Sequence, residues 1–284
     1  MSAGRSPAPG YDEPAPVPYD VVALDLDGTT VRSDGEISES TRAALRRVET
    51  AGATVIVVTG RPPRWLEPVR PLLGPQGLAV CANGAVVIDL ATGGVVEERP
   101  LDADVLRSLI NGLSAEIPEL RFAVERTDSD GFAREPDYHP RWSAPEAIVT
   151  GSREELFSRP AAKLLARHDT LGPDDLLARA EAVIGAELAT LTHSSRDGLL
   201  EISAAGVSKA TTLAAICERR GVPPERVIAF GDMPNDIPML AWAGCAVAVA
   251  NAHPEVLEVA DEVTASNDED GVAVVLNRLW PPST

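Results

Sequence analysis

The sequence predicts an α/β fold: a doubly wound parallel-sheet core interrupted by an inserted α+β unit at roughly residues 85–205. Three observations carry this expectation. At both ends of the 284-residue chain, short apolar runs alternate with stretches of helical spacing, the rhythm of βαβ units. The middle loses that rhythm and reads as helices among antiparallel strands. Nearly every apolar run of the alternating part also ends in Asp, Asn, Thr or Gly, at the edge where such sheets bind ligands.

In chain order, "VVALDL" reads as a buried strand and "ISESTRAALRRVETAG" as a helix capped at Ser38 or Ser40 and stopped at Gly52. "TVIVVTGR" is a second buried strand, and "PRWLEPVRPLLGPQG" a short helix punctuated by proline. "LAVCANGAVVID" gives strand, turn and strand, followed by a hairpin through Gly93-Gly94 into "VVEERPL". In the insertion, "DADVLRSLINGLSAEI" and "PDDLLARAEAVIG" are helices. "RFAVER", "AAKLLARH", "ELATLTHSS" and "GLLEISAAG" are strands. The stretch "TDSDGFAREPDYHPRWSAPE" reads as one long loop, a kind of segment that is functional or disordered in compact domains. From "SKATTLAAICERRG" the alternation returns through "RVIAFGD", "MPNDIPMLAWAG", "CAVAVAN", "PEVLEVA" and "DEVTA", and closes on "DEDGVAVVLNRLW". The expected organisation is a Pro-rich disordered tail at 1–18, a core at 19–84 and 206–284, and an inserted unit at 85–205.

Apolar residues make up 44% of the chain, enough for a full core, while aromatics are only 4%. The formal net charge of −18 repels nucleic acid and anionic membranes unless a basic patch intervenes, and no basic run is present. Cys81, Cys217 and Cys245 make neither a disulfide framework nor a zinc pattern, which suits a reducing, cytoplasmic setting. No apolar run approaches the roughly 18 residues of a membrane span, and the N-terminus lacks signal-peptide regions.

Residues 21–31, "VVALDLDGTTV", pose the chemical question. Asp25 and Asp27 stand two apart and share one face of a strand. Like charges there repel unless a cation or a shared proton lies between them. Other strand ends add Thr59, Gly60 and Arg61, then Asn83 and Gly84, then Gly231, Asp232, Asn235 and Asp236, and Asn251. Taken singly, each has a structural explanation. "DGT" suits a turn, Thr59 a helix cap, Arg61 a solvated surface, Lys209 the first helical turn after a Ser208 cap, and Asp232 and Asp236 a turn and a cap. A purely structural sheet does not need all of them on one edge. Converging carboxylates without Cys or His make a hard, oxygen-only site that prefers Mg²⁺. The Thr59 hydroxyl, the Lys209 ammonium and backbone N–H groups near Gly28 and Gly60 suit phosphoryl oxygens.

These residues resemble the haloacid dehalogenase superfamily, over the chain from about residue 20 to its C-terminus. "DLDGT" at 25–29, Thr59 in "VVTGR", Lys209 in "SKATTL" and "GDMPND" at 231–236 are similar to its four motifs. The α+β insertion between the second and third resembles the type-IIB cap of the Cof-type sugar-phosphatase branch, as do "NGA", "VANAHPEV" and "ASNDEDGV". The resemblance implies a Rossmann-like core and a cap that closes over it. It implies that Asp25 is the nucleophile and Asp27 the general acid and base. Mg²⁺ would lie between Asp25, the Asp27 carbonyl and Asp232, with Asp236 in support. Leu26, Gly28, Thr59, Gly60, Lys209 and Asn235 would hold the phosphoryl group. Arg61, Asn83, Gly84, Arg134, His139 and Arg141 are candidates for the rest of the substrate, with Tyr138 and Trp142 in the same loop. His168 and His193 read as ordinary histidines, and Trp242 and Trp280 as packing residues. Ala210 stands where the branch commonly has Gly, and "AVAN" where Met-Gly-Asn is usual. The implied activity is hydrolysis of a small phosphorylated metabolite, a sugar phosphate foremost. A phosphosugar mutase uses the same aspartate pair and stays open. A phospho-accepting receiver domain fits less well, because a large insertion interrupts the sheet.

Overall fold

A computed structural model of the chain describes residues 18–66, 70, 77–128, 131–140, 148–195 and 197–282. The expected N-terminal tail falls almost wholly outside them.

The first strands are β1 (Val21–Leu24), β2 (Thr54–Val58) and β3 (Leu78–Cys81), with α1 (Glu39–Thr50) between the first two. α1 starts where the Ser38 side chain accepts the Thr41 N–H, which makes Ser38 the cap. β1 to β3 are parallel and almost unbroken in apolar residues, as expected of strands covered on both faces. β4 (Val86–Asp89) and β5 (Val95–Glu98) follow as antiparallel additions to the same sheet. Here the structure corrects the sequence reading, which assigned residues 85–98 to the insertion. The reading relied on where parallel alternation stops, but an antiparallel hairpin can extend a parallel sheet at its edge.

The chain leaves this sheet after β5. It builds α2 (Ala103–Glu116), β6 (Arg121–Glu125), β7 (Phe132–Arg134), β8 (Ile148–Thr150), α3 (Arg153–Leu156), β9 (Lys163–Arg167), α4 (Pro173–Glu181), β10 (Ala189–Thr192) and β11 (Leu199–Ala204). Its six strands form a second sheet in the order β10-β11-β9-β6-β7-β8. β7 lies within the stretch read as one loop. Three residues between Gly131 and Glu135 are too few for the alternation that marks a strand.

The return builds α5 (Lys209–Arg219), β12 (Val227–Gly231), α6 (Ile237–Trp242), β13 (Cys245–Ala248), α7 (Pro254–Val259), β14 (Glu262–Val263) and α8 (Gly271–Leu279). The first sheet then reads β14-β13-β12-β1-β2-β3-β4-β5. β1 is central, paired in parallel with β12 on one side and β2 on the other. Successive residues of β1 serve opposite layers. Val21 and Ala23 pack with α5, α6 and α7, whereas Val22 and Leu24 pack with α1 and α8. Trp280 belongs to the second layer and Trp242 borders the first. The second sheet has its own core: Leu164, Ala166, Leu200 and Ile202 face α2 and α4. The alternate residues of the same strands, Lys163, Leu165, Arg167, Leu199 and Glu201, face the other way. Among the described residues, no helix is long and apolar enough to cross a membrane.

Candidate active site

The strand order of the first sheet puts the carboxyl ends of β12, β1, β2 and β3 side by side. After Leu24 the strand ladder stops, and the Leu26 carbonyl takes the N–H groups of Thr29, Thr30 and Val31. This tight loop turns Asp25, buried, and Asp27, exposed, toward the carboxyl edge of the sheet, while Leu26 packs into the core. Gly28 has φ +79°, and a Cβ there would lie 2.4 Å from Asp232 Oδ2. Only glycine fits both the conformation and the approach. Thr29 donates its hydroxyl to Asp232 Oδ1 at 2.8 Å, and Thr30 donates to the Asp25 carbonyl at 2.6 Å. Asn251, after β13, donates to the Gly28 carbonyl at 2.8 Å. Asn267 donates to the Val31 carbonyl at 3.0 Å. The N–H groups of Leu26, Asp27 and Gly60 find no acceptor among the described residues, as a site for an oxyanion requires.

Lys209 enters from the first turn of α5, behind its Ser208 cap. Its buried ammonium donates to Asp25 Oδ1 and Asp236 Oδ1, each at 2.6 Å. Asp236 Oδ2 accepts the N–H groups of Asp232 and Met233 at 3.1 and 3.0 Å. A Cβ on Gly231 would lie 2.6 Å from that of Asp236, so glycine lets this carboxylate fold back under the loop. Asp25, Asp232 and Asp236 bring one oxygen each within 4.8 Å of one another.

Three buried carboxylates and one ammonium leave negative charge in excess. Burial, then the charge of Asp236, pushes the Asp232 carboxyl up to about 7. Burial also raises Asp25, against the pull of Lys209. Burial alone would lower Lys209, but Asp236 and Asp25 outweigh it and raise the ammonium instead. Two like charges about 4 Å apart repel by roughly 4 kcal/mol at an effective dielectric constant of 20, so the cluster suits an added cation. The all-oxygen donor set fits a hard divalent ion. Asp25 and Asp232 hold the freer oxygens. Both Asp236 oxygens are occupied, so Asp236 orients Lys209 and the loop.

The loop after β2 meets the second sheet. The buried Thr59 hydroxyl accepts the Arg61 N–H at 3.0 Å, which leaves its proton to donate. Arg61 grips Asp27 through two hydrogen bonds of 2.7 and 2.6 Å. The sequence reading considered Arg61 as a substrate contact or a solvated charge, but its guanidinium is committed to Asp27. Asn83 sits at φ +56°. It donates to Glu201 of β11 at 2.9 Å and accepts from Asn235 at 3.0 Å. Lys163 of β9 donates to the Gly60 carbonyl at 2.7 Å and pairs with Glu201. Asn83 thus connects the second sheet to Asn235. Lys163, Glu201 and Ser194, which also donates to Glu201, were missed in the sequence. For Lys163 and Glu201 the one signal was a charged residue at an alternate position of an otherwise apolar strand; Ser194 had none.

Other predicted contacts lie elsewhere. A Cβ on Gly84 would meet the Ser208 carbonyl at 2.3 Å, so this glycine packs against α5 rather than a substrate. Arg134 donates to the Tyr138 carbonyl at 2.6 Å and braces its own turn. His139 is exposed. Arg141 and Trp142 lie outside the described residues. His193 is buried with Nε2 2.9 Å from Asp174, and His168 Nδ1 accepts the Thr170 and Leu171 N–H groups at 3.2 and 3.0 Å.

A doubly wound sheet with aspartates, a lysine and open N–H donors on its carboxyl edge defines a class, the α/β proteins that handle phosphoryl groups. Comparison with known proteins identifies the family within that class. A model of haloacid dehalogenase-like hydrolases matches residues 22–276. The 5-amino-6-(5-phospho-D-ribitylamino)uracil phosphatase YitU of Bacillus subtilis is 31% identical, over 93% of this chain and 98% of its own. The pyridoxal phosphate phosphatase YbhA of Escherichia coli is 29% identical, over 89% and 96%. The solved structure of a haloacid dehalogenase-like hydrolase from B. subtilis superposes with a TM-score of 0.79 at 26% identity, covering 92% of this chain and 99% of that one. The chain belongs to the haloacid dehalogenase-like hydrolases. Its reaction class is phosphoric monoester hydrolysis.

Proposed function

We propose that this hydrolase is a Mg²⁺-dependent phosphatase that removes phosphate from a small cytoplasmic metabolite through a phosphorylated Asp25. The observation that carries the reading is the buried cluster of Asp25, Asp232 and Asp236 around Lys209, with excess negative charge beside unpaired N–H donors. Asp25 and Asp232, with the Asp27 carbonyl, would hold the ion. When bound, Mg²⁺ offsets the carboxylate charge and polarises a phosphoryl oxygen.

The side chains divide the remaining work. Asp25 Oδ2 attacks phosphorus as the ester P–O bond breaks. Asp27 gives its proton to the leaving oxygen, then takes one from the water that hydrolyses the acyl phosphate. Because Arg61 holds Asp27 at the mouth of the loop, this role requires Asp27 to turn from Arg61 as substrate enters. Thr59, Lys209 and the N–H groups of Leu26, Asp27 and Gly60 receive the phosphoryl oxygens. Gly28 gives clearance to Asp232. The second sheet serves as the cap that closes over the site. The named activities of YitU and YbhA support a small phosphorylated substrate, with a sugar phosphate as the first class to test.

The test is phosphate release across phosphorylated metabolites with Mg²⁺, with Asp25→Asn as the blank. Mg²⁺-dependent release that Asp25→Asn lacks is expected. Undiminished release by that variant would overturn the reading.

A further inference from the structure

The inner face of the second sheet holds a charge that the chemistry above does not use. Lys163, Leu165 and Arg167 alternate along β9 and so share a face. Lys163 fixes its direction by reaching Gly60 at 2.7 Å, beside the phosphoryl site. Arg167 is only 7% exposed, yet among the described residues its guanidinium meets no hydrogen-bond acceptor, carboxylate or ring. Its cross-strand neighbour is Arg121, a second cation directly opposite, which is unfavourable. The Arg167 nitrogens are not sealed from solvent, so an enclosed guanidinium without a protein partner presents its charge to the space in front of the sheet.

Tyr138 is the second observation. It is 1% exposed and packs with Leu165, Leu199, Ala123 and Phe132 on this face. Its hydroxyl makes no hydrogen bond among the described residues. Its contact Leu199 is the register partner of Arg167 on β11, and its contact Leu165 lies two residues before Arg167 on β9, so Tyr138 covers the same part of the face. The carboxylates nearby are already engaged: Glu125 by Arg64 and Glu201 by Lys163. Both residues are largely enclosed, yet their polar atoms stay open to solvent, so two donors share a space with no protein acceptor among the described residues.

We propose that Arg167 and Tyr138 form a subsite for an oxyanion at the end of the substrate remote from the scissile phosphate. A carboxylate or a second phosphate has the required chemistry: negative charge for Arg167 and acceptor lone pairs for both donors. Four residues separate Arg167 from Lys163, about 13 Å along the strand at 3.3 Å per residue, and the long arginine side chain shortens that span. A phosphorylated metabolite of sugar size can bridge it. The inference rests on the reading of the core site as a phosphatase centre, and selects a substrate class for it.

Three probes of matched length test it: glucose 6-phosphate, 6-phosphogluconate and glucose 1,6-bisphosphate. The native enzyme should favour the two anion-ended esters over the neutral-ended one by at least tenfold in kcat/KM. That ratio should collapse in Arg167→Gln and recover in part in Arg167→Lys, with most of the loss in KM. The carboxylate and bisphosphate arms show which oxyanion is preferred. Calorimetry of the same three compounds on Asp25→Asn protein, with and without Arg167→Gln, measures recognition without turnover. Preferential binding that depends on Arg167 upholds the subsite even if no ester is hydrolysed, in which case only the phosphatase reading falls. Equal affinity for all three compounds, or an equal loss for all three in Arg167→Gln, overturns the subsite.

Discussion

At the carboxyl ends of the core strands, three buried carboxylates face one buried ammonium. On the inner face of the second sheet, Lys163 pairs with Glu201, Glu125 is taken by Arg64 from the core segment after β2, and Arg167 is left over. One side of the cleft has negative charge in excess and the other positive. The core balance calls for a cation and the cap balance for an anion. Under the proposed reading, a phosphorylated metabolite with a bound divalent ion would supply both. The difference also separates the two tasks: chemistry needs groups held to fractions of an ångström, while selection needs a complementary charge at the right distance.

The strongest way to break this contrast is to remove the core's own cation. Lys209→Ala leaves Asp25 and Asp236 buried against each other. Denaturant unfolding without metal should show a loss of about 3–5 kcal/mol, as for other broken buried ion pairs, and phosphate release should vanish. Gly28→Ala should act on the chemistry more than on the fold. The added methyl displaces Asp232 from its place 2.4 Å away, and kcat should fall by roughly a hundredfold, as when a catalytic group is misplaced by about 1 Å.

The acidic excess also sets a pH dependence. Burial raises the Asp232 carboxyl from 3.8 to about 7, so the folded protein binds more protons than the unfolded chain between those values. Metal-free stability therefore falls as pH rises through that window. Mg²⁺ binds the ionised form, so its affinity should rise by up to about tenfold per pH unit below pH 7, and then level off. Titrating the melting temperature with Mg²⁺ at several pH values checks the sign. A smaller effect should come from the contact between the two regions. Asn83→Ala cuts the link from Glu201 to Asn235, and a loss of roughly tenfold in kcat/KM is expected, the scale of one hydrogen bond to a charged group. No change would mean that cap position is set elsewhere, for example by His253 of the core, 3.9 Å from Asp174 of the cap.

Most of the core site was legible in the sequence because each part is a local pattern. Asp25 and Asp27 are two apart, and Asp232 and Asp236 lie in one turn, each directly after an apolar run. The cap face was not legible for the opposite reason. Lys163, Arg167 and Glu201 are single charges on alternate positions of strands whose other residues are apolar. Which side they face depends on long-range pairing of β9 with β6 and β11. The pairing of Arg61 with Asp27, 34 positions apart, was hidden in the same way. The hairpin of β4 and β5 was seen, but its attachment to the core sheet was not, because pairing partners leave no trace within the strand itself.

The most direct test of the core chemistry is to quench the enzyme with acid during turnover and map its peptides. The expected result is a phosphoryl group on the peptide carrying Asp25, present with Mg²⁺ and substrate and missing from the Asp25→Asn protein. Rapid turnover with no phosphorylated Asp25 at any quench time, or the same adduct in Asp25→Asn, would contradict it.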